Sequence, residues 1–82
     1  MPRWYFHLDQ AGDRLIDPEG VEIADPTSLR SRAVAIARAL IAEDAIGGVL
    51  HLDTRLFVVD ERGATVLEVS FADAVALIPK PR

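Results

Sequence analysis

The stretch Pro26 to Ile46, PTSLRSRAVAIARALIAEDAI, is the one segment whose length and apolar period predict a helix of several turns, and the rest of the chain has to be arranged around it. Both of its ends are signalled. Asp25 is a favoured N-cap whose carboxylate can accept from Thr27 or Ser28 N–H, and Pro26 stands at the first helical position, where its missing N–H costs nothing. Ala33, Ala35, Ala37, Ala39, Leu40 and Ala42 are strong helix formers, and Gly47-Gly48 supplies a left-handed stop. At about 100° per residue, Leu29, Ala33, Ile36, Ala37 and Leu40 form one stripe, widened on one flank by Val34, Ile41 and Ala45. The opposite side carries Ser31, Arg32, Arg38 and Glu43, but Ala35, Ala39, Ala42 and Ile46 are interleaved with them. A helix covering a single sheet usually has a more polar back, so this side is expected to meet a second subunit. The plainer account is that alanine is simply a good helix former.

Composition narrows the possibilities further. Eighty-two residues make one domain, which at this size buries about 60–65% of the unfolded chain's surface. The chain has no cysteine, which excludes a disulfide framework, a thiolate metal site and a Cys nucleophile. MPRWYFHLD has no apolar run of signal-peptide length, and no stretch of about 18 uncharged apolar residues occurs, so a cytoplasmic protein without a membrane partner is expected. Nine basic residues against 13 acidic ones give a net charge of -4, which argues against nucleic acid as the principal partner.

Read in order, Arg3 to Asp9 alternates as a first strand, with Trp4, Phe6 and Leu8 on one side and Tyr5, His7 and Asp9 on the other. A turn with Gly12 leads to a second strand, Arg14 to Ile16. Asp17-Pro18-Glu19-Gly20 fits a type I turn, and Val21 to Ala24 is a short extended piece with Val21 and Ile23 facing the core. Beyond the helix, Leu50 to Asp60 is the longest predicted strand, apolar on both faces over Leu56 to Val59, as a central strand is. Glu61-Arg62-Gly63 is a hairpin connection, and Thr65 to Phe71 returns with Thr65, Leu67, Val69 and Phe71 on one face. Ser70 and Asp73 resemble a weak capping box for a short helix over Phe71 to Ile78, closed by Pro79. The predicted fold is α+β: an antiparallel sheet of about four strands packed on one long helix, ββ-α-ββ plus a short C-terminal helix. Residues 1–78 form the domain and 79–82 a tail. Tyr5, His7, Phe57 and Val59 make the second face of the sheet partly apolar, and the C-terminal helix, through Val75, Leu77 and Ile78, is the nearest segment able to cover it.

Trp4-Tyr5-Phe6-His7-Leu8, the turn Asp17-Pro18-Glu19-Gly20-Val21-Glu22, the helix opening, Val59-Asp60-Glu61-Arg62-Gly63 and Val69-Ser70-Phe71-Ala72-Asp73-Ala74-Val75 together resemble a family of small bacterial proteins of unknown function. The resemblance implies a standalone cytoplasmic bacterial protein and carries over no catalytic or ligand residues. The first half is also similar, more loosely, to the antitoxin family with a partial double-stranded-RNA-binding-domain fold. That likeness implies toxin neutralisation without autoregulatory DNA binding, because a C-terminal helix-turn-helix or ribbon-helix-helix segment is lacking.

Four constellations bear on function. Thr27 and Ser28 with Arg30 and Arg32 would form an anion pocket at the helix start, unless Glu22, Asp25 or Asp44 pairs with the arginines. His7 with Asp9 and His51 with Asp53 would bind zinc only if their strands were neighbours in matching register; structural histidines are the ordinary case, and no metal or cofactor is expected. Asp9, Asp13, Asp17, Glu19 and Glu22 cluster in turns, where capping explains them, and so small a domain has little room for a cleft of about 300 Å³, so catalysis is not expected. Arg3, Trp4, Tyr5 and Arg55 would form a stacking platform for single strands, which the net charge disfavours; Trp4 is read as a core anchor and Tyr5 as a boundary residue. The expectation is a non-enzymatic binding or interaction module that forms a homodimer through Tyr5, Ala35, Ala39, Ile46, Phe57 and Val59. An antitoxin-like regulator of a protein partner is the alternative, and a small anion-binding sensor the third.

Overall fold

The computed structural model describes residues 2–78; the expected tail, 79–82, lies outside them. The order is β1 (Arg3–Gln10), β2 (Asp13–Leu15), β3 (Val21–Glu22), a 3₁₀ turn (Pro26–Ser28), α1 (Leu29–Ile46), β4 (Arg55–Val59), β5 (Thr65–Ser70) and α2 (Phe71–Ala74). The α+β reading holds, with one long helix, a short C-terminal helix and an antiparallel sheet of five strands rather than four. The sheet runs β2-β1-β4-β5, and β3 pairs with β1 beyond the end of β2. The extra strand comes from the Asp17–Gly20 turn, which splits one edge partner of β1 into two short pieces.

The helix forms for the reasons its sequence gives. Asp25 Oδ1 accepts from Thr27 N–H at 3.0 Å and from the Thr27 hydroxyl at 2.7 Å, and the proline-led first turn is 3₁₀ before the α-helix proper begins. Leu29, Ala33, Ala37 and Ile41 are buried, which puts Ile41 on the centre line of the stripe and leaves Ala45 in solvent. The two alanines on that line, Ala33 and Ala37, let the helix axis come close to the sheet. At the far end Gly47 keeps helical angles, and only Gly48, at φ +86°, takes the left-handed conformation.

A helix about 10 Å across can cover about two strands spaced about 4.8 Å apart. Here α1 lies over β4 and β5 and meets α2. One row of the ladder records the consequence, because Leu15, Leu8, Leu56 and Val69 are successive cross-strand partners. Exposure along that row is 56% at Leu15, partial at Leu8, 0% at Leu56 and 4% at Val69. The core is therefore centred on β4, with Leu56 and Val58 fully buried.

Several local expectations are corrected. β2 begins at Asp13 and ends before Ile16, which is 59% exposed. Val21 is 38% exposed while Ile23 is buried, because the Trp4 indole N–H donates to the Ile23 carbonyl at 3.0 Å and turns that residue inward. The strand expected over Leu50 to Asp60 is confined to Arg55–Val59; Thr54 N–H bonds the His51 carbonyl, so the preceding residues form a turn. β5 stops at Ser70, and a bulge opposite Val58 and Val59 breaks the parity that would have set Thr65 beside Leu67. The C-terminal helix ends at Ala74, where Val75 is already extended, leaving Leu77 and Ile78 exposed. Nor does it cover the second face: Phe71 and Ala74 join the core on the α1 side, and Arg38 Nε–H donates to the Ala74 carbonyl at 2.7 Å.

Thr54 is the one buried polar side chain among the described residues, and its hydroxyl has no partner. An unsatisfied buried hydroxyl costs about 1–3 kcal/mol. Thr54→Val keeps the shape and removes the orphan, so it is expected to stabilise the fold by about 1 kcal/mol and to raise Tm by several degrees in thermal unfolding; a lower Tm would contradict this account.

Candidate functional site

The most polar construction in the fold stands where β1 lacks a strand partner. Between β2 and β3 the edge of β1 is open, and Asp17 fills the gap. Its Oδ2 accepts from Phe6 N–H at 3.2 Å, and its own N–H donates to His7 Nδ1 at 3.0 Å. Its Oδ1 accepts from Glu19 N–H at 3.2 Å and Gly20 N–H at 3.1 Å, closing the Asp-Pro-Glu-Gly turn through the side chain. Partial burial pushes the Asp17 carboxyl up, but the N–H donors of Gly20, Phe6 and Glu19 together with nearby His7 outweigh it, and the net shift is below the ordinary 3.8. Gly20 must be glycine here: its φ is +70°, and an added Cβ would meet Arg3 Cγ, the Trp4 carbonyl and Tyr5 Cε2 at 2.9 Å each.

Around this plug lies a shallow cleft of about 310 Å³ on the outer sheet face, walled by Tyr5, His7, Ile16, Pro18, Val59 and the turn at Asp60-Glu61. Its carboxylates are already engaged. Asp60 Oδ1 accepts from Arg62 and Ala64 N–H at 2.9 Å each, and Glu61 Oε1 accepts from Arg3 N–H at 2.8 Å. With its Nδ1 accepting from Asp17, His7 has only Nε2 left to present to the cleft. The arrangement holds backbone in place.

The residues singled out in the sequence separate onto different parts of the surface. Tyr5 and Val59 are cross-strand partners on the outer face, as are His7 and Phe57. Val59, however, is only 6% exposed, and the Arg14 guanidinium stands 4.8 Å from the Phe57 ring centroid. The outer face is thus covered by its own long side chains, including the Arg55–Glu68 pair at 2.9 Å. Ala35 and Ala39 are exposed on the back of α1, and Ile46 is 89% exposed at its end, away from Tyr5 and Phe57.

At the helix start, Thr27 and Arg30 share a hollow of about 260 Å³ with Trp4, Leu29, Val66 and Leu67, which Ser28 and Arg32 do not line. The Asp25 carboxylate already holds the Thr27 N–H and hydroxyl, and Ser28 donates to the Asp25 carbonyl. Among the described residues neither Arg30 nor Arg32 is in an ion pair; Glu22 pairs with Arg3, and Asp44 with His51 at 3.0 Å. His51 lies in the turn before β4, so the two His/Asp pairs do not share a ladder position, and no group of three or more potential metal ligands occurs among the described residues. No helix among the described residues is long and apolar enough to cross a membrane. The plug at Asp17 was missed in the sequence; the signal was the Asp-Pro-Glu-Gly turn itself, whose first residue is often an acceptor for the third and fourth N–H.

Because the folded carboxyl titrates below its unfolded value, Asp17 stabilises the fold above about pH 3.8, and that contribution is lost as pH falls through the lower folded value. Asp17→Asn is expected to cost about 1–2 kcal/mol at pH 7 in denaturant unfolding, with the gap to the unaltered chain closing in acid. A pH-independent difference would contradict the charged plug.

Among known proteins, a family model described as "Domain of unknown function (DUF6894)" matches residues 3–72. Comparison with curated proteins and with solved structures yields no match to either. The matched span runs from the first residue of β1 into α2, and the chain belongs to this family of unknown function, DUF6894.

Proposed function

We propose that this chain is a small non-enzymatic protein-interaction module that works by associating with itself, in a bacterial cytoplasmic setting as the family resemblance suggests. The observation that carries the reading is the exposure gradient along the row Leu15, Leu8, Leu56, Val69, in which one half of the inner sheet face goes without the helix that covers the other. Nine large apolar side chains are exposed among the described residues, against eleven apolar residues buried in the core, three of them alanine. Each one left in water forgoes about 1.5–3 kcal/mol of burial, so contact with a further chain has a substantial return. The engaged state of Asp17, Asp60 and Glu61 supports a binding rather than a catalytic role, since each carboxylate already accepts from backbone N–H groups.

Size-exclusion chromatography with light scattering, run from roughly ten micromolar to roughly one millimolar, checks this. The mean mass is expected to climb from the monomer's 9.0 kDa towards twice that value. A constant 9.0 kDa over the whole range would contradict the reading.

A further inference from the structure

We propose that His7 is a pH-operated latch on the outer cleft: its neutral imidazole holds the wall formed by residues 16–18 against β1, and the imidazolium releases it. The device lies within one chain and is independent of self-association. Two bonds of opposite sense tie Asp17 to β1, its N–H donating to His7 Nδ1 at 3.0 Å and its Oδ2 accepting from Phe6 N–H at 3.2 Å. The first exists only while Nδ1 keeps its lone pair free. Once Nδ1 carries a proton, two N–H groups face each other and the Asp17 N–H loses its acceptor. The new Nδ1–H also competes with Phe6 N–H for the neighbouring Asp17 carboxylate, so both ties depend on the charge of one ring. Histidine is the side chain whose charge ordinarily changes between about pH 5 and about pH 8.

The surroundings confine the response to this corner. Residues 16–20 lie between the end of β2 at Leu15 and the start of β3 at Val21 and share no ladder with β1. Arg3 Nη1 holds the far end of the turn through the Glu19 carbonyl at 2.7 Å, so the part set free is residues 16–18. No other charge is placed to take over from Asp17, which stays ionised throughout this range because its carboxyl lies below the ordinary 3.8. Asp60 and Glu61, which also line the cleft, are held by backbone N–H groups. On β1 itself the uncharged Tyr5 ring stands 6.3 Å from that of His7. Across the ladder His7 faces Phe57, whose ring Arg14 covers, and the diagonal Arg55 is paired with Glu68. Asp9, two residues along the same face, is the cross-strand partner of both arginines.

Amide hydrogen exchange on the full chain, corrected for intrinsic rates, tests the latch alongside an NMR titration of the His7 ring. Over two pH units centred on the midpoint of that titration the neutral fraction drops about tenfold, and protection of the Asp17 N–H is expected to drop with it. Ala64 N–H, held by Asp60 instead, is the internal control and should keep its protection. His7→Asn retains an acceptor that does not titrate, so its Asp17 N–H should stay protected over the same range, whereas His7→Phe should leave it unprotected throughout. Both variants are checked for folding by circular dichroism. Asp17 protection that stays flat in the unaltered chain while His7 titrates overturns the latch, whether or not the variants fold. Equal loss at Asp17 and Ala64 overturns it too, since that marks general unfolding, as does a folded His7→Asn chain that loses protection as the unaltered one does.

Discussion

The width of one helix decides most of this structure. With α1 as the only long helix, the inner face of a sheet several strands wide is covered over β4 and β5 and left thin over β1 and β2. Close approach is possible because Ala33 and Ala37, at 0% exposure, put almost nothing between the helix axis and Leu56 and Val58. That packing yields a dense, narrow core. It also means that Leu15, which a second covering helix would bury, stands in water.

Where apolar cover runs out, the chain uses polar devices. Asp17 takes the place of a missing strand by accepting the Phe6 N–H and giving its own N–H to His7. Arg14 lies over Phe57, an arrangement worth about 0.5–1 kcal/mol at an exposed site, and Arg55 reaches Glu68 across the strands. These contacts explain why the outer face, apolar in part by sequence, has little left to offer a partner. They also leave the two sheet edges unequal, one plugged and one open.

Much of the architecture was legible in the residues. The helix and its Asp25 cap, the alternation of β1, the doubly apolar centre of β4 and the glycine hairpin all follow from local chemistry that tertiary structure did not override. What misled was local pattern without its neighbours. Leu50 and Leu52 continue the alternation of β4 but lie before and within the turn that ends at Thr54, and the apolar residues after Ala74 read as helix although the chain is extended by Val75. Similarly, the sequence points to the C-terminal helix or a second copy as the cover over Phe57 and Val59, whereas Phe57 is covered by Arg14 on β2, an element distant in sequence. Of the candidate site, the turn was readable and its role as a plug was not, since the gap in β1's ladder exists only once β2 and β3 are both in place.

The central claim is that this fold is completed by a second copy of itself, and thermal stability as a function of protein concentration tests it most directly. If folding and association are linked, Tm must rise with concentration, because mass action favours the associated native state. Over a hundredfold range we expect a steady increase of a few degrees. A Tm that stays constant across that range would contradict the account.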